Sequence, residues 1–202
     1  MKIFCVGRNY AEHAKELNNA IPDAPVVFMK PPTAILKGKD FYLPEFSKDM
    51  HYECELVYRI CKNGKHITEN FAAKYIDAIT VGVDFTARDV QQNQKTKGLP
   101  WEIAKAFDNS AVLGNWVDLS NVKDKSSIKF SMQKNGETVQ QGDSSLMIYS
   151  IEKIISYISQ FFSLQQGDVI YTGTPAGVSA VKRGDVLTGY LGDIKMFEVE
   201  IK

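Results

Sequence analysis

The residues whose spacing carries the most chemistry are Glu53 and Glu55, in His51-Tyr52-Glu53-Cys54-Glu55-Leu56-Val57-Tyr58-Arg59-Ile60. Even positions are apolar, while odd ones carry His51, Glu53, Glu55 and Arg59. This alternation predicts a strand with one face on a core. Side chains at i and i+2 share a face, so the two carboxylates stand about 7 Å apart along the strand. Carboxylates held so close repel unless positive charge lies between them. A hard divalent cation such as Mg²⁺ supplies it, because it takes oxygen ligands and needs only a few carboxylates besides water and substrate. The alternative is a solvated strand face whose glutamates pair with Arg59 and neighbouring lysines. A metal site needs a third ligand, a base and a pocket from elsewhere in the chain.

Other residues could supply these parts. His13 and Glu16 lie three apart in Ala11-Glu12-His13-Ala14-Lys15-Glu16-Leu17, on one face of an expected helix closed by Asn18-Asn19. A carboxylate beside an imidazole fixes its tautomer and favours the protonated ring, as in a general base; an exposed polar helix face has the same spacing. Asp84 ends the apolar run Ala78–Val83 and precedes a polar stretch, residues 85–92, read as a helix with Arg88 and Gln91. It is either an active-site carboxylate at a strand end or the cap of that helix. Lys105 sits among apolar and aromatic residues, so it either snorkels to water or is desolvated and used. Thr172-Gly173-Thr174-Pro175-Ala176-Gly177 offers close backbone approach and hydroxyl donors to a small anion, or is an ordinary turn. It lacks the Gly-Lys-Ser/Thr of a phosphate loop.

The elements that must position these residues are many short strands and few helices. Strands are expected at Met1–Val6, Pro25–Lys30, Ala78–Asp84, Val169–Tyr171, Val186–Tyr190 and Lys195–Ile201, with Asn63-Gly64 and Asn135-Gly136 as type I′ hairpin turns. Ser150 caps the most regular helix, with Ile151, Ile154, Ile155, Ile158 and Phe162 on its apolar stripe. The 202 residues, 44 % hydrophobic, suffice for one core and predict a single domain. Lysine plus arginine equals aspartate plus glutamate at 24 each, so no broad field favours nucleic acid or an anionic membrane. No apolar run is long enough to span a bilayer, and Met1–Cys5 lacks a signal-peptide pattern. Three cysteines without C-x-x-C spacing fit the free thiols of a cytoplasmic protein.

Taken in order, Gly7-Arg8-Asn9-Tyr10 with H-x-x-E, Tyr52-Glu53-Cys54-Glu55-Leu56, residues 82–91 (Gly-Val-Asp-Phe-Thr-Ala-Arg-Asp-Val-Gln), Lys105-Ala106-Phe107-Asp108 and the loop 172–177 resemble the fumarylacetoacetate hydrolase family, especially its short acylpyruvase and fumarylpyruvate-hydrolase-like members. The resemblance runs over essentially the whole chain, without the N-terminal domain of the larger members. It implies an α+β, mostly β fold, a mixed β-roll or barrel-like core with peripheral helices, commonly a homodimer. It implies a divalent metal on Glu53, Glu55 and Asp84, usually Mg²⁺, with Mn²⁺ or Ca²⁺ as alternatives. His13 and Glu16 then match a catalytic dyad on an N-terminal lid (about residues 7–20), Lys105 the active-site lysine, and Arg88, Gln91 and Thr174 substrate-lining positions. Lys95 departs from the family, standing where larger members carry a substrate-contacting tyrosine. The expected reaction is metal-dependent cleavage of a carbon–carbon bond in a small 2,4-dioxo acid, giving pyruvate and a carboxylic acid. Oxaloacetate decarboxylation or tautomerisation, isomerisation of an unsaturated dicarboxylic oxo acid, and an inactive oxo-acid-binding protein are the alternatives.

Overall fold

The structure, a computed structural model, describes residues 1–16 and 20–202. In chain order the elements are β1 (Ile3–Gly7), α1 (Ala11–Glu16), β2 (Val26–Lys30), β3 (Asp40–Phe41), β4 (Met50–Tyr52), β5 (Cys54–Ile60), α2 (Glu69–Ala72), β6 (Ile76–Asp84), β7 (Thr86–Ala87), α3 (Arg88–Thr96) and α4 (Glu102–Lys105). They continue as β8 (Ala111–Leu113), β9 (Val117–Asp118), β10 (Lys129–Lys134), β11 (Glu137–Asp143), α5 (Ile151–Phe161), β12 (Val169–Tyr171), β13 (Ser179–Ala180), β14 (Val186–Leu191) and β15 (Ile194–Ile201). Leu17, the last residue of the expected helix, its closing pair Asn18-Asn19, and with them part of the lid segment, lie outside the described residues.

One sheet runs β2-β1-β12-β5-β6-β8, with β9 also on β6; a second runs β11-β10-β14-β15-β3; a third joins β13-β4-β7. Pairing is mixed, parallel for β1 with β12 and for β15 with β3 and antiparallel elsewhere. This is the mostly β, curled architecture that the resemblance implies. The main core gathers Cys54, Leu56, Tyr58 and Ile60 from one face of β5, the α5 isoleucines, and Phe130, Met132 and Leu187 from the second sheet. Val57, on the other face, packs in a smaller cluster with Cys5, Ala111 and Tyr171. The opening strand therefore differs from expectation. It lies inside a sheet and is buried on both faces, so Glu53 and Glu55 mark a buried polar site rather than a solvated face, while Arg59 stays partly exposed against Asp77.

Ser150 caps α5 as its sequence predicts, accepting a hydrogen bond from the Lys153 N–H, and Ile151, Ile154, Ile155 and Ile158 are buried. Phe162 falls beyond the helix end and is 39 % exposed, its ring 5.5 Å from that of Phe4. Asn135 and Gly136 turn with φ 55° and 85°, and β10 and β11 pair across them. Asn63-Gly64 makes no such hairpin. Gly64 exchanges backbone hydrogen bonds with Leu164 at 2.8 and 3.0 Å, and Asn63 Oδ1 accepts from the Gln166 N–H. A partner about a hundred residues away outcompetes the local turn. The helix expected over 85–92 begins later, at Arg88, because Thr86–Ala87 is held as a strand against β4.

Candidate metal centre and active site

The acidic site forms where β4, β5 and β6 meet. Glu53 links β4 to β5, and β5 pairs with β6 so that Glu55 faces Gly82. The Asp84 N–H donates to the Glu53 carbonyl at 2.8 Å, which sets Asp84, the last residue of β6, beside Glu53. Asp84 is thus a strand-end carboxylate and not the cap of α3, whose cap position is Ala87. The three carboxylates are buried, and one oxygen of each lies within 4.8 Å of the others.

Buried carboxylates this close need positive partners. Lys105 Nζ donates to Glu53 Oε2 at 2.8 Å and to Asp84 Oδ2 at 2.7 Å. Its side chain is only 3 % exposed, so it is desolvated and does not snorkel. Arg88 gives Nη2 to Glu53 Oε1 at 2.6 Å and Nη1 to Gln91 Oε1 at 2.7 Å. Lys30, which nothing in the sequence marked, is fully buried at the end of β2, and its Nζ meets Asp84 Oδ1 at 2.7 Å, Ser110 Oγ at 2.9 Å and the Lys105 carbonyl. The contact with Asp84 Oδ1 is an ion pair, so each Asp84 oxygen faces a buried ammonium, Lys30 at one and Lys105 at the other. A lysine closing an apolar run before Pro31-Pro32 reads as an exposed terminator. Only the packing of α4 over β2 shows otherwise.

Glu55 receives one hydrogen bond, from the Gly173 N–H at 2.6 Å. Burial, then the Asp84 and Glu53 charges, push its carboxyl well above the ordinary range, against the pull of Lys105 and the Gly173 amide. Burial acts on Glu53 in the same direction, but Lys105, Arg88 and His13 outweigh it and hold that carboxyl well below its usual range. Burial lowers the Lys105 ammonium, yet Asp84 and Glu53 raise it more.

His13, on α1, is 5 % exposed, with Nδ1 3.0 Å from Glu16 Oε2. The other Glu16 oxygen accepts from the Gly177 N–H at 3.1 Å, tying α1 to the loop after β12. Thr174 Oγ1 donates to the Cys54 carbonyl and accepts from Gln140 Nε2, both at 2.8 Å, so its hydroxyl fixes the loop against β5. Gln140 also accepts from the Cys54 N–H at 2.9 Å, and Asn9 clamps the same loop through the Thr172 carbonyl at 2.8 Å. Gln140 does not stand out by spacing, being one amide in a polar stretch, and Asn9 falls in the Gly7–Tyr10 motif without a role of its own. His13, Glu53, Glu55, Asp84, Arg88, Gln91, Lys105 and Thr174 all line one cavity of about 40 Å³, together with Arg8, Phe28, Lys95 and Trp101.

Three converging buried carboxylates are a hard-oxygen donor set that fits Mg²⁺ or Mn²⁺ and suits no soft metal. Such a fold and site define a class of proteins built around a buried carboxylate cluster able to hold a divalent ion. The family model described as "Fumarylacetoacetate (FAA) hydrolase C-terminal" matches residues 2–202, and the chain belongs to the fumarylacetoacetate hydrolase family. It is 41 % identical over 201 residues to the mitochondrial oxaloacetate tautomerase FAHD1 of Bos taurus, covering 98 % of this chain and 91 % of the relative. The Arabidopsis thaliana counterpart is 38 % identical, at 100 % and 91 % coverage. Among solved structures, fumarylpyruvate hydrolase from Pseudomonas aeruginosa in complex with Mn²⁺ and pyruvate superposes with a TM-score of 0.94 at 37 % identity, covering all of this chain and 89 % of that one. The 5-carboxymethyl-2-hydroxymuconate delta-isomerase of Mycobacterium smegmatis gives 0.86 at 33 % identity, covering 99 % and 78 %.

Proposed function

We propose that this protein is a divalent-metal enzyme that moves protons on small 2-oxo acids, with keto–enol tautomerisation of oxaloacetate as its main reaction. The observation that carries this reading is His13, paired with Glu16 behind it, on the same cavity as the three carboxylates and Lys105. The sequence alone placed carbon–carbon hydrolysis of a 2,4-dioxo acid first. The extent of identity to oxaloacetate tautomerases moves the weight to tautomerisation. Hydrolysis of a fumarylpyruvate-type acid stays as the second reading, supported by the likeness to fumarylpyruvate hydrolase.

Glu53, Glu55 and Asp84 would hold the ion, which we take to be Mg²⁺. When bound, it supplies a Lewis acid and a template for a carboxylate and an adjacent 2-oxo group. Glu16 accepts from Nδ1 and leaves Nε2 of His13 as the basic nitrogen. In tautomerisation His13 moves a proton between C3 and the 2-oxo oxygen. In hydrolysis it takes a proton from the water that attacks the distal carbonyl. The Lys105 ammonium offsets negative charge developing on the enolate in both reactions. Arg88 and Gln91 orient the substrate, and Thr174 shapes the loop that closes over it.

The whole chain serves as one catalytic unit and works as a homodimer. An apolar groove of about 940 Å³ beside α4, lined by Met29, Phe46, Ile103 and Phe107, supports the second copy. Phe46 and Ile103 there are 54 % and 60 % exposed. Sedimentation of a monomer at micromolar concentration would remove that part. No helix among the described residues is long and apolar enough to cross a membrane. The three cysteines are free, which suits a reducing compartment, here taken as the cytoplasm.

The test follows the enol band of oxaloacetate, and pyruvate release from fumarylpyruvate and acetylpyruvate, with Mg²⁺ and after EDTA. Isomerisation conserves mass, whereas hydrolysis yields pyruvate. Turnover that survives complete metal removal, or survives Glu53→Ala, would sink the metal-dependent reading.

A further inference from the structure

Lys30 takes no part in the proton transfers, yet it is only 1 % exposed and lies against the acidic cluster. It is not among the described residues that line the cavity. A buried ammonium needs acceptors for its three N–H bonds. Here they come from three separate parts of the chain. Asp84 Oδ1, at the end of β6, stands 2.7 Å away as an ion pair. Ser110, just before β8, accepts through Oγ at 2.9 Å, with its carbonyl at 3.2 Å. The Lys105 carbonyl, at the end of α4, is the third.

These contacts lock one another. Ser110 is itself fully buried, and its Oγ, while accepting from Lys30, donates to the same Lys105 carbonyl at 2.9 Å. The Ser110 carbonyl also accepts from the Phe85 N–H at 2.8 Å, next to Asp84 in the chain. The last carbonyls of a helix have no partner within it, so Lys30 and Ser110 close α4 at the residue whose side chain reaches the carboxylates. Lys105 Nζ holds the other Asp84 oxygen, Oδ2, at 2.7 Å and lines the cavity. The terminal torsion of an aspartate is soft, so a carboxylate left alone turns easily. With Oδ1 gripped from behind, Asp84 keeps Oδ2 on the side of Lys105 and the cavity.

We propose that Lys30 is a positioning residue of the metal centre: it holds Asp84 by one oxygen so that the other is presented to the ion, and it holds the Lys105 carbonyl so that Lys105 keeps its place beside that oxygen. This rests on the reading that the three carboxylates take a divalent ion, and adds to it the group that sets one of them. Charge and position make opposite predictions for its removal. By charge alone, losing an ammonium 2.7 Å from a ligand carboxylate would tighten the binding of a cation. By position, a ligand free to turn binds it less well.

Calorimetric titration of the metal-stripped full chain with Mn²⁺ tests it, together with electron paramagnetic resonance of the bound ion at saturation. Lys30→Met keeps an unbranched side chain and replaces a buried charge by an apolar group, an exchange that folds often tolerate. It is expected to weaken Mn²⁺ binding by about 10–100-fold and to alter the resonance of the bound ion, with near-UV circular dichroism unchanged. Ile154→Ala is the control for a purely structural role, since it lowers stability and leaves affinity and resonance those of the wild type. Wild-type or tighter Mn²⁺ binding in Lys30→Met, or an unchanged resonance, overturns the assignment. Should Lys30→Met fail to fold, Ser110→Ala decides: it removes one arm of the clamp and keeps every charge. Binding weakened by about 2–10-fold upholds the clamp, and wild-type binding overturns it. Weakened binding in a protein that turns over no oxo acid upholds the positioning role and removes the proposed reaction. A wild type that binds no Mn²⁺ removes both.

Discussion

Glu55 is the carboxylate with the least compensation in the site, a single backbone amide against the Asp84 and Glu53 charges. Its pKa lies well above normal, so an incoming divalent ion must displace a proton once the pH falls below that raised value. Metal affinity should therefore weaken as the pH drops through the raised pKa, with about one proton released per ion below it and none well above it. Calorimetry in two buffers of different ionisation enthalpy counts that proton, and a pH-independent affinity would contradict the assignment. The metal-free protein follows the same sign. Glu55 binds a proton more readily folded than unfolded, so its effect on stability is most favourable below the unfolded pKa and is lost as pH rises through the folded value. His13 makes a different prediction. His13→Ala should lower kcat on oxaloacetate by about 10²–10⁴-fold, the usual worth of a general base, while the Mn²⁺ dissociation constant stays within about two-fold. A parallel loss of metal binding would move His13 into the ion's own shell. At this scale the sequence was legible for Glu53 and Glu55, because strand periodicity puts i and i+2 on one face. Asp84 was ambiguous, since strand-end acid and helix cap look alike in sequence. Lys30 was illegible, because burial by a distant helix leaves no local mark.

Elements position these groups through close approach. Gly82 faces Glu55 across β5 and β6, and a Cβ there would lie 2.3 Å from the Val112 carbonyl and 2.9 Å from the Tyr171 ring. Gly82→Ala should cost about 1–3 kcal/mol by overpacking, and should also weaken Mn²⁺ binding because β6 carries Asp84. Ile154→Ala, in the fully buried stripe of α5, should cost about 2–5 kcal/mol and leave Mn²⁺ affinity unchanged in the folded protein. Urea unfolding with Mn²⁺ titration separates the two, and equal metal affinities in both variants would detach the strand from the site. The periodicity of α5 and the Asn135-Gly136 turn could be read in advance because local chemistry decides them. Asn63-Gly64 has the same dipeptide signal, but pairing with Leu164 overrides it. The late start of α3 has the same kind of cause, since β4 claims Thr86–Ala87. Where the sequence reading erred on elements, a distant strand or loop had taken the hydrogen bonds.

At the scale of the molecule, metal binding and folding are linked. An ion held only by the folded chain, supplied at a hundred times its dissociation constant, adds about 2.7 kcal/mol. For a chain of this size that is a rise of roughly 5–11 °C in Tm. Differential scanning calorimetry with Mg²⁺ against EDTA reads it, and an unchanged Tm would mean that the carboxylate cluster does not take the ion. The zero net charge of the chain means that any attraction for anionic substrates is local to the cavity. The clamps on the loop after β12 span the chain: Asn9 to Thr172, Gly173 to Glu55 and Thr174 to Cys54 are 163, 118 and 120 residues apart. That has a consequence for how the protein is made. On the ribosome the carboxylates and Lys105 are synthesised well before the loop that ties them together. At about 5–20 residues per second the gap of some seventy residues lasts roughly 4–14 s. During that interval the nascent chain has its three carboxylates but not the amide that steadies Glu55, so the acidic cluster is completed only late in translation. A product broken off before Thr172 would lack both the amide on Glu55 and the hydroxyl clamp on Cys54, and so the assembled cluster.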